Sequence, residues 1–258
     1  MISSRSLLIK LGKRFPRHLA LKNRDPYVGH QVGQMPLTIS KILLCLDFDL
    51  TVLEEVKIHR PDLVITHHPF IYGLKAKVFA NDPVKALIAQ QMEEMGIPVY
   101  SYHTNFDEAA GGMNDALALA LGLENITPLA SAPMARGGEL PTPLPIDKFA
   151  KFALRALNVD YGLLIDEGSE VIRKVAIIGG GGSRSWYIAK DEGYDIYLSG
   201  DVPHHVRRDI VESRYNYLDL PHEVERIFMP TMKKILLEID EDLEIVIVNH
   251  EQLPKVIR

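Results

Sequence analysis

The run Val64-Ile65-Thr66-His67-His68-Pro69 sets two adjacent imidazoles between an apolar stretch and a proline. Imidazole is the commonest protein ligand for transition metals and also carries protons near neutral pH. Leu63 to Ile65 read as a short buried strand, and Pro69 turns His68 away from helical backbone. The pair therefore belongs on extended or turning chain at a strand end. Neighbouring extended residues point in opposite directions, which suits two adjacent metal ions better than one. A structural use is also open, with His67 packed against the domain and His68 capping a turn.

Further candidates follow later strands. His103 and Asp107 come after Ile97–Ser101, and Asp201 after the run Ile196-Tyr197-Leu198-Ser199. Carboxyl ends of strands are where α/β proteins place ligand sites. A carboxylate such as Asp107 adds hard oxygen to borderline imidazole nitrogen and can balance a divalent ion. Equally, it could cap a helix starting near Gly111. His222 and Glu225 are three apart and share a face if helical, with Glu223 pointing elsewhere, whereas a turn after Pro221 would change which acid converges. Glu225 could instead pair with Arg226 or Lys233 at the surface. His204 and His205 could orient a substrate or start the helix that follows Pro203.

Gly179-Gly180-Gly181-Gly182-Ser183 lacks both the Lys-Ser/Thr ending of a nucleotide loop and the Gly-x-Gly-x-x-Gly spacing. It reads either as backbone able to meet an anion or as a tight strand-to-helix turn beside another backbone. A Gly-x-Ser-x-Gly elbow is absent, as is the His-x-Glu and Pro-Cys-x-x-Cys pattern of zinc deaminases.

The elements that must position these residues alternate. An N-terminal helix buries Leu7, Leu8 and Leu11 and turns its basic residues to water. Lys41–Leu46 reads as strand, Leu50–Ile58 as helix, Leu63–Thr66 as strand and Pro83–Met95 as helix stopped by Gly96. Helix Asn114–Leu121 follows. Pro, Gly, Ser and Thr accumulate between Pro128 and Pro145, predicting a domain boundary or long connection. Helix Ile146–Leu157, strands Gly162–Ile165 and Val175–Ile178, helix Trp186–Asp191 and helix Met232–Leu237 come next. Strand Leu243–Val248 could return to the first sheet. This places the domains at 1–127 plus 237–258 and at 128–236.

The chain has 258 residues, 47% hydrophobic and 24% charged, enough for two α/β domains with real cores. Its net charge of −5 argues against dedicated nucleic-acid binding. Cys45 is the sole cysteine and sits in an apolar run, so a core role and a reducing, cytoplasmic setting are expected. No apolar run approaches the roughly 20 residues that span a bilayer.

The chain resembles the NGG-interacting-factor-three-like family, often called GTP cyclohydrolase I type 2. The likeness runs through Phe15-Pro16, Asp25, Val28-Gly29, Gln31-Val32-Gly33, Thr66-His67-His68-Pro69 and His103-Thr104-Asn105-Phe106-Asp107. It continues at Gly112, Asn114, Gly179-Gly180-Gly181 and Ser199-Gly200-Asp201 with His205. The resemblance implies two similar α/β sandwich domains, with the terminal segment returning to the first. It also implies a two-metal site of zinc, manganese or iron held by His67, His68, Asp107, His222 and Glu225. The family usually spaces its last pair four residues apart behind a glycine, whereas here the spacing is three and Pro221 precedes the histidine.

On this basis the expected activity is metal-dependent hydrolysis of a nucleotide-like or phosphorylated small molecule, with His103 or His205 transferring the proton. The alternative is a metal-stabilised binding or scaffold protein without turnover. Self-assembly into a homohexamer or homodimer is implied as well.

Overall fold

The computed structural model describes residues 1–251 and 253–257. The chain forms two compact units, each with its own major β-sheet. The first contains Met1–Gly112 and Phe228–Glu251; the second contains Met113–Ile227 and the chain's last residues.

The first unit runs β1 (Ile2–Ser3), α1 (Ser4–Arg14), α2 (Arg17–Lys22), β2 (Gly29–Val32), β3 (Thr38–Ile39) and β4 (Lys41–Cys45). It continues with α3 (Leu50–His59), β5 (Leu63–Thr66), α4 (Lys75–Asn81), α5 (Pro83–Met95), β6 (Val99–Ser101) and α6 (Thr104–Glu108). After the second unit, α11 (Phe228–Ile239) and β13 (Glu244–Ile247) complete it. The sheet order is β13-β4-β5-β6-β2; β13, β4, β5 and β6 run parallel and β2 is an antiparallel edge.

All four residues of β5 are buried, as a central parallel strand covered on both faces requires. Leu43, Val64, Val52, Val56, Ile88 and Met92 join one apolar core around it. The covering helices start and stop on local signals. The Asp49 side chain accepts the Val52 N–H at the start of α3, and Asp82 accepts the Lys85 N–H at the start of α5, with Pro83 in the first turn. Gly96 ends α5 at φ +70°, where a side chain would be strained.

The second unit runs α7 (Met113–Ala120), β7 (Glu124–Pro128), β8 (Arg136–Pro145), α8 (Ile146–Ala156), β9 (Leu163–Asp166) and β10 (Val171–Ile177). It continues through a 3₁₀ turn (Ser183–Ser185), α9 (Trp186–Asp191), β11 (Ile196–Gly200), α10 (His204–Glu212), β12 (Asn216–Leu220) and a second 3₁₀ helix (His222–Ile227). Its sheet order is β7-β8-β10-β11-β12-β9, with β10, β11 and β12 parallel at its centre.

The expected connection at 128–145 is largely strand: β8 pairs with β10 through Ala176 opposite Gly137 and Ile177 opposite Arg136. Its glycines answer to packing rather than to a turn. A Cβ on Gly137 would collide with the Tyr194 ring, and one on Gly138 would crowd the Glu124 carbonyl. The units divide between Gly112 and Met113 and between Ile227 and Phe228, against expected divisions at 127/128 and 236/237. The physical reason is α7, which packs on β7, β8 and β10 and so belongs with the second sheet. Strand β12 carries no turn-flanked alternation in the sequence because all five of its residues are buried.

Candidate metal centre

In the first unit, the ladder between β4 and β5 continues past the strand end. The His67 N–H donates to the Cys45 carbonyl at 3.2 Å and the His68 N–H to the Leu46 carbonyl at 3.1 Å. The Thr66 hydroxyl donates to the His68 carbonyl at 2.8 Å. Both histidines are thus held extended, as their position before Pro69 predicts. His67 is fully buried, against Phe228 and Phe106.

Each imidazole is oriented through Nδ1. His67 Nδ1 lies 2.9 Å from the Tyr102 carbonyl, His68 Nδ1 2.9 Å from Asp47 Oδ2, and His103 Nδ1 2.6 Å from Asp25 Oδ2. A carbonyl only accepts, so His67 Nδ1 carries the proton and Nε2 the lone pair. A ring fixed through one nitrogen by a carbonyl or carboxylate is how metal-ligating histidines are usually held.

Ligand atoms of His67, His68 and His103 all lie within 4.8 Å of one another. Asp107, buried in α6, places Oδ1 3.6 Å from His67 Nε2. Two donors around an ion with bonds of about 2.0–2.1 Å are separated by about 3.4 Å. The donor set therefore fits a divalent transition metal. Asp107 lies inside α6, and the next helix, α7, starts at Met113.

His103 has a raised pKa: burial acts to lower it, but the Asp25 hydrogen bond and the charges of Asp107 and Asp25 outweigh that. Burial would raise the Asp25 carboxyl, yet His103, Thr104 and the Tyr27 N–H together hold it below the usual carboxylate value. Asp25 and His103 thus stabilise each other's charged forms through a 2.6 Å hydrogen bond.

In the second unit, the 3₁₀ helix spaces residues three per turn, so His222 and Glu225 eclipse. His222 Nε2 lies 3.1 Å from Glu225 Oε2, and Nδ1 2.5 Å from Asp201 Oδ2. Glu225 is buried; Glu223 instead lines a cavity of about 390 Å³ with Tyr161 and Arg207. The Glu225 hydrogen bond, helped by its charge and by Asp201, raises the His222 pKa to about 9 against the opposing effect of burial. Asp201 has φ +54°, a left-handed conformation uncommon for a residue with a side chain.

The glycine run is spent on this arrangement. Gly180 has φ +59°, and a Cβ there would run into the Glu225 carboxylate. Its carbonyl accepts the Gly182 N–H at 2.9 Å and the Gly200 N–H at 2.7 Å. The tight turn beside another backbone is therefore what the structure contains.

The structure gathers His67, His68, His103 and Asp107 in the first unit, and His222 with Glu225 in the second. His205 sits exposed in the first turn of α10. The sequence alone does not reveal that Asp47 and Asp25 orient the rings, and it offers Asp201 only as a strand-end candidate. Asp47 follows the end of β4, beside the β5 end that carries the histidines, and extending the strand-end rule to β4 would have found it.

These features define a mixed α/β protein with two major sheets whose strand ends and turns cluster histidines and acids suited to divalent metal. The sequence profile of the Duf34/NIF3 (NGG1p interacting factor 3) family matches residues 4–254. The chain belongs to that family. It is 31% identical over 238 residues to the GTP cyclohydrolase 1 type 2 homolog of Clostridium perfringens, covering 88% of this chain and 89% of that one. It is 29% identical over 241 residues to the protein of the same name from Methanocaldococcus jannaschii, covering 90% and 93%. Among solved structures, a Bacillus cereus protein related to NIF3 shares the fold with a TM-score of 0.86 at 20% identity, covering 99% of both chains. Reduced HcgD from Methanocaldococcus jannaschii matches with a TM-score of 0.79 at 27% identity, covering 95% and 97%.

Proposed function

We propose that this protein is a dinuclear metal-dependent hydrolase of a nucleotide-like or phosphorylated small molecule, with His67, His68, Asp107, His222 and Glu225 as ligands to two divalent ions. The observation that carries the reading is the cluster of His67, His68 and His103, each ring fixed through Nδ1. Zinc, manganese and iron all suit this mixture of nitrogen and oxygen donors. When bound, such ions lower the pKa of a water and polarise the bond attacked.

The chain's own residues supply orientation and proton handling. The Tyr102 carbonyl and Asp47 keep the His67 and His68 rings from turning, so Nε2 is the ligating atom of each. His103, paired with Asp25, holds a proton at Nδ1 and exchanges one at Nε2, which suits a general acid–base. Of the two imidazoles considered for that role, His103 lies in the cluster and is the one we favour over exposed His205. The names of the relatives make GTP the first substrate to try.

The test is metal analysis of protein saturated with each ion in turn, followed by mass spectrometry of products from GTP and from a phosphoester panel. Two ions per chain with metal-dependent product support the reading. Below about 0.2 ions per chain after saturation, the metal site is refuted. Metal that stabilises the chain, but without turnover of any compound, leaves the scaffold function instead.

Self-association belongs to the same proposal, with a homohexamer as the expected state and a homodimer as the smaller form. Light scattering should give six times the 29.0 kDa chain mass. We place the protein in the cytoplasm, in keeping with a single, buried cysteine, Cys45. No described helix is long and apolar enough to cross a membrane.

A further inference from the structure

A second cavity, of about 460 Å³, lies in the first unit between α2, β2 and the chain before α4. This is within the range of about 300–1,000 Å³ typical of small-molecule sites. Its walls include Arg17, Tyr27, His30, Gln31, Lys75 and Tyr100, and none of its described lining residues is acidic. In a chain of net charge −5, a cavity bearing two permanent cations and an imidazole attracts anions against the general field.

The walls are braced from within. The Gln31 amide nitrogen donates to the carbonyls of Tyr27 at 2.7 Å and Gly29 at 3.1 Å, while its oxygen accepts the Ile71 N–H at 3.0 Å. His30 Nε2 lies 2.8 Å from the Gly33 carbonyl. Arg17 donates to the Pro26 carbonyl at 3.3 Å, which leaves other N–H groups of its five-donor fork for a ligand. Lys75 pairs with Glu93 at 3.1 Å, but both side chains are half exposed, so the pairing is weak and exchangeable.

The cavity is linked to the imidazole cluster by aromatic rings. Tyr27 packs on Tyr72 at 4.7 Å between centroids, and Tyr72 meets His103 edge-on at 6.5 Å. Tyr72 stands between the lining residues Ile71 and Gly73 and is 58% exposed, so its ring offers a stacking surface.

We propose that this cavity is an anion subsite, in which Arg17 and Lys75 bind the phosphoryl group of a small substrate whose aromatic or heterocyclic body rests on Tyr72, directing its far end to His103. This rests on the hydrolase reading and adds to it the polarity of the substrate: anion away from the metals, reacting bond toward them. It also makes Tyr72 and the two cations specificity determinants.

The experiment is calorimetric binding of phenyl phosphate, with inorganic phosphate and phenol as separate probes. Each is measured on the full chain, metal-loaded and after chelation, for the parent and for an Arg17→Gln, Lys75→Gln double variant. A Tyr72→Ala variant is measured beside them. The expected result is a loss of at least about tenfold in phenyl phosphate affinity for the double variant in both metal states, with metal content and Tm unchanged. Tyr72→Ala should weaken phenyl phosphate and leave inorganic phosphate unaffected. The proposal is overturned if the double variant binds like the parent, if phenol binds as well as phenyl phosphate, or if chelation alone abolishes binding. That last outcome would place the anion on the metals and leave the hydrolase reading standing. Metal-independent binding lost in the double variant, with no metal-dependent product from GTP or from any phosphoester, would sustain the subsite while the hydrolase reading fails.

Discussion

The first unit offers its imidazoles from the end of a buried parallel sheet, whereas the second offers His222 from a single 3₁₀ turn. His67 has no exposed surface and its backbone continues the β4–β5 ladder, so its direction is set by the sheet itself. The His222 side chain is 39% exposed and is held by two carboxylates, Asp201 and Glu225, one at each ring nitrogen. One histidine is positioned by packing and the other by charge. Their responses to mutation and pH should therefore differ in kind.

The largest expected effect is at His67. His67→Ala leaves a cavity beside Phe228 and strips the Tyr102 carbonyl of its donor, so metal-free protein should lose about 3 kcal/mol in chemical denaturation. His222→Ala leaves no void, so in the same assay run above about pH 9, where the charge that His222 carries is lost, it should cost much less than His67→Ala. Equal losses would erase the distinction between a packed and a charge-held histidine.

Next comes Asp25, the orienting partner of His103. Asp25→Asn keeps the shape but removes the charge that raises the His103 pKa. The acidic limb of the pH–rate profile should move down in pH, and turnover should fall by about 10²-fold or less, a part of what general acid–base catalysis contributes. An unchanged profile would remove His103 from proton transfer.

A smaller effect is expected at Gly180, compared with Gly96. Both have positive φ, but a Cβ at Gly96 meets nothing within 4 Å while one at Gly180 meets Glu225. Gly96→Ala should cost about 1 kcal/mol of stability and leave metal affinity intact. Gly180→Ala should carry a similar strain and also weaken metal binding in an equilibrium titration. If both variants bind metal normally, the glycine run does not serve the Glu225 position.

The smallest effect is a pH dependence of the chelated protein. The folded His222 pKa is raised from 6.5 to about 9, so its contribution is fully present below pH 6.5 and is lost as pH rises through about 9. Tm of the chelated parent should therefore decline across pH 6.5–9, and His222→Gln should flatten that part of the curve.

Most of the secondary structure around the first histidine pair is legible locally. Apolar run lengths give β4 and β5, Pro83 and Gly96 bound α5, and the β-branched run after Leu243 gives β13. The direction of His67 and His68 follows from strand geometry and Pro69. Elements such as β8 and β12 are not legible in this way, because glycines admitted for packing resemble turn residues and a wholly buried strand has no alternation to detect.

By itself the sequence determined the alternating elements, the strand-end position of the histidines and the candidacy of His222 and Glu225, since these depend on residue type and short spacing. Only the tertiary structure decided which carboxylate orients which ring. Asp47 reaches His68 across 21 residues, Asp201 reaches His222 across 21, and Asp25 reaches His103 across 78. It also decided that Glu225, not Glu223, turns toward His222, because a 3₁₀ helix eclipses residues three apart and no local pattern distinguishes it from an α-turn. Pairings of this kind are fixed by sheet register and helix phase, which a chain acquires only when its distant segments pack.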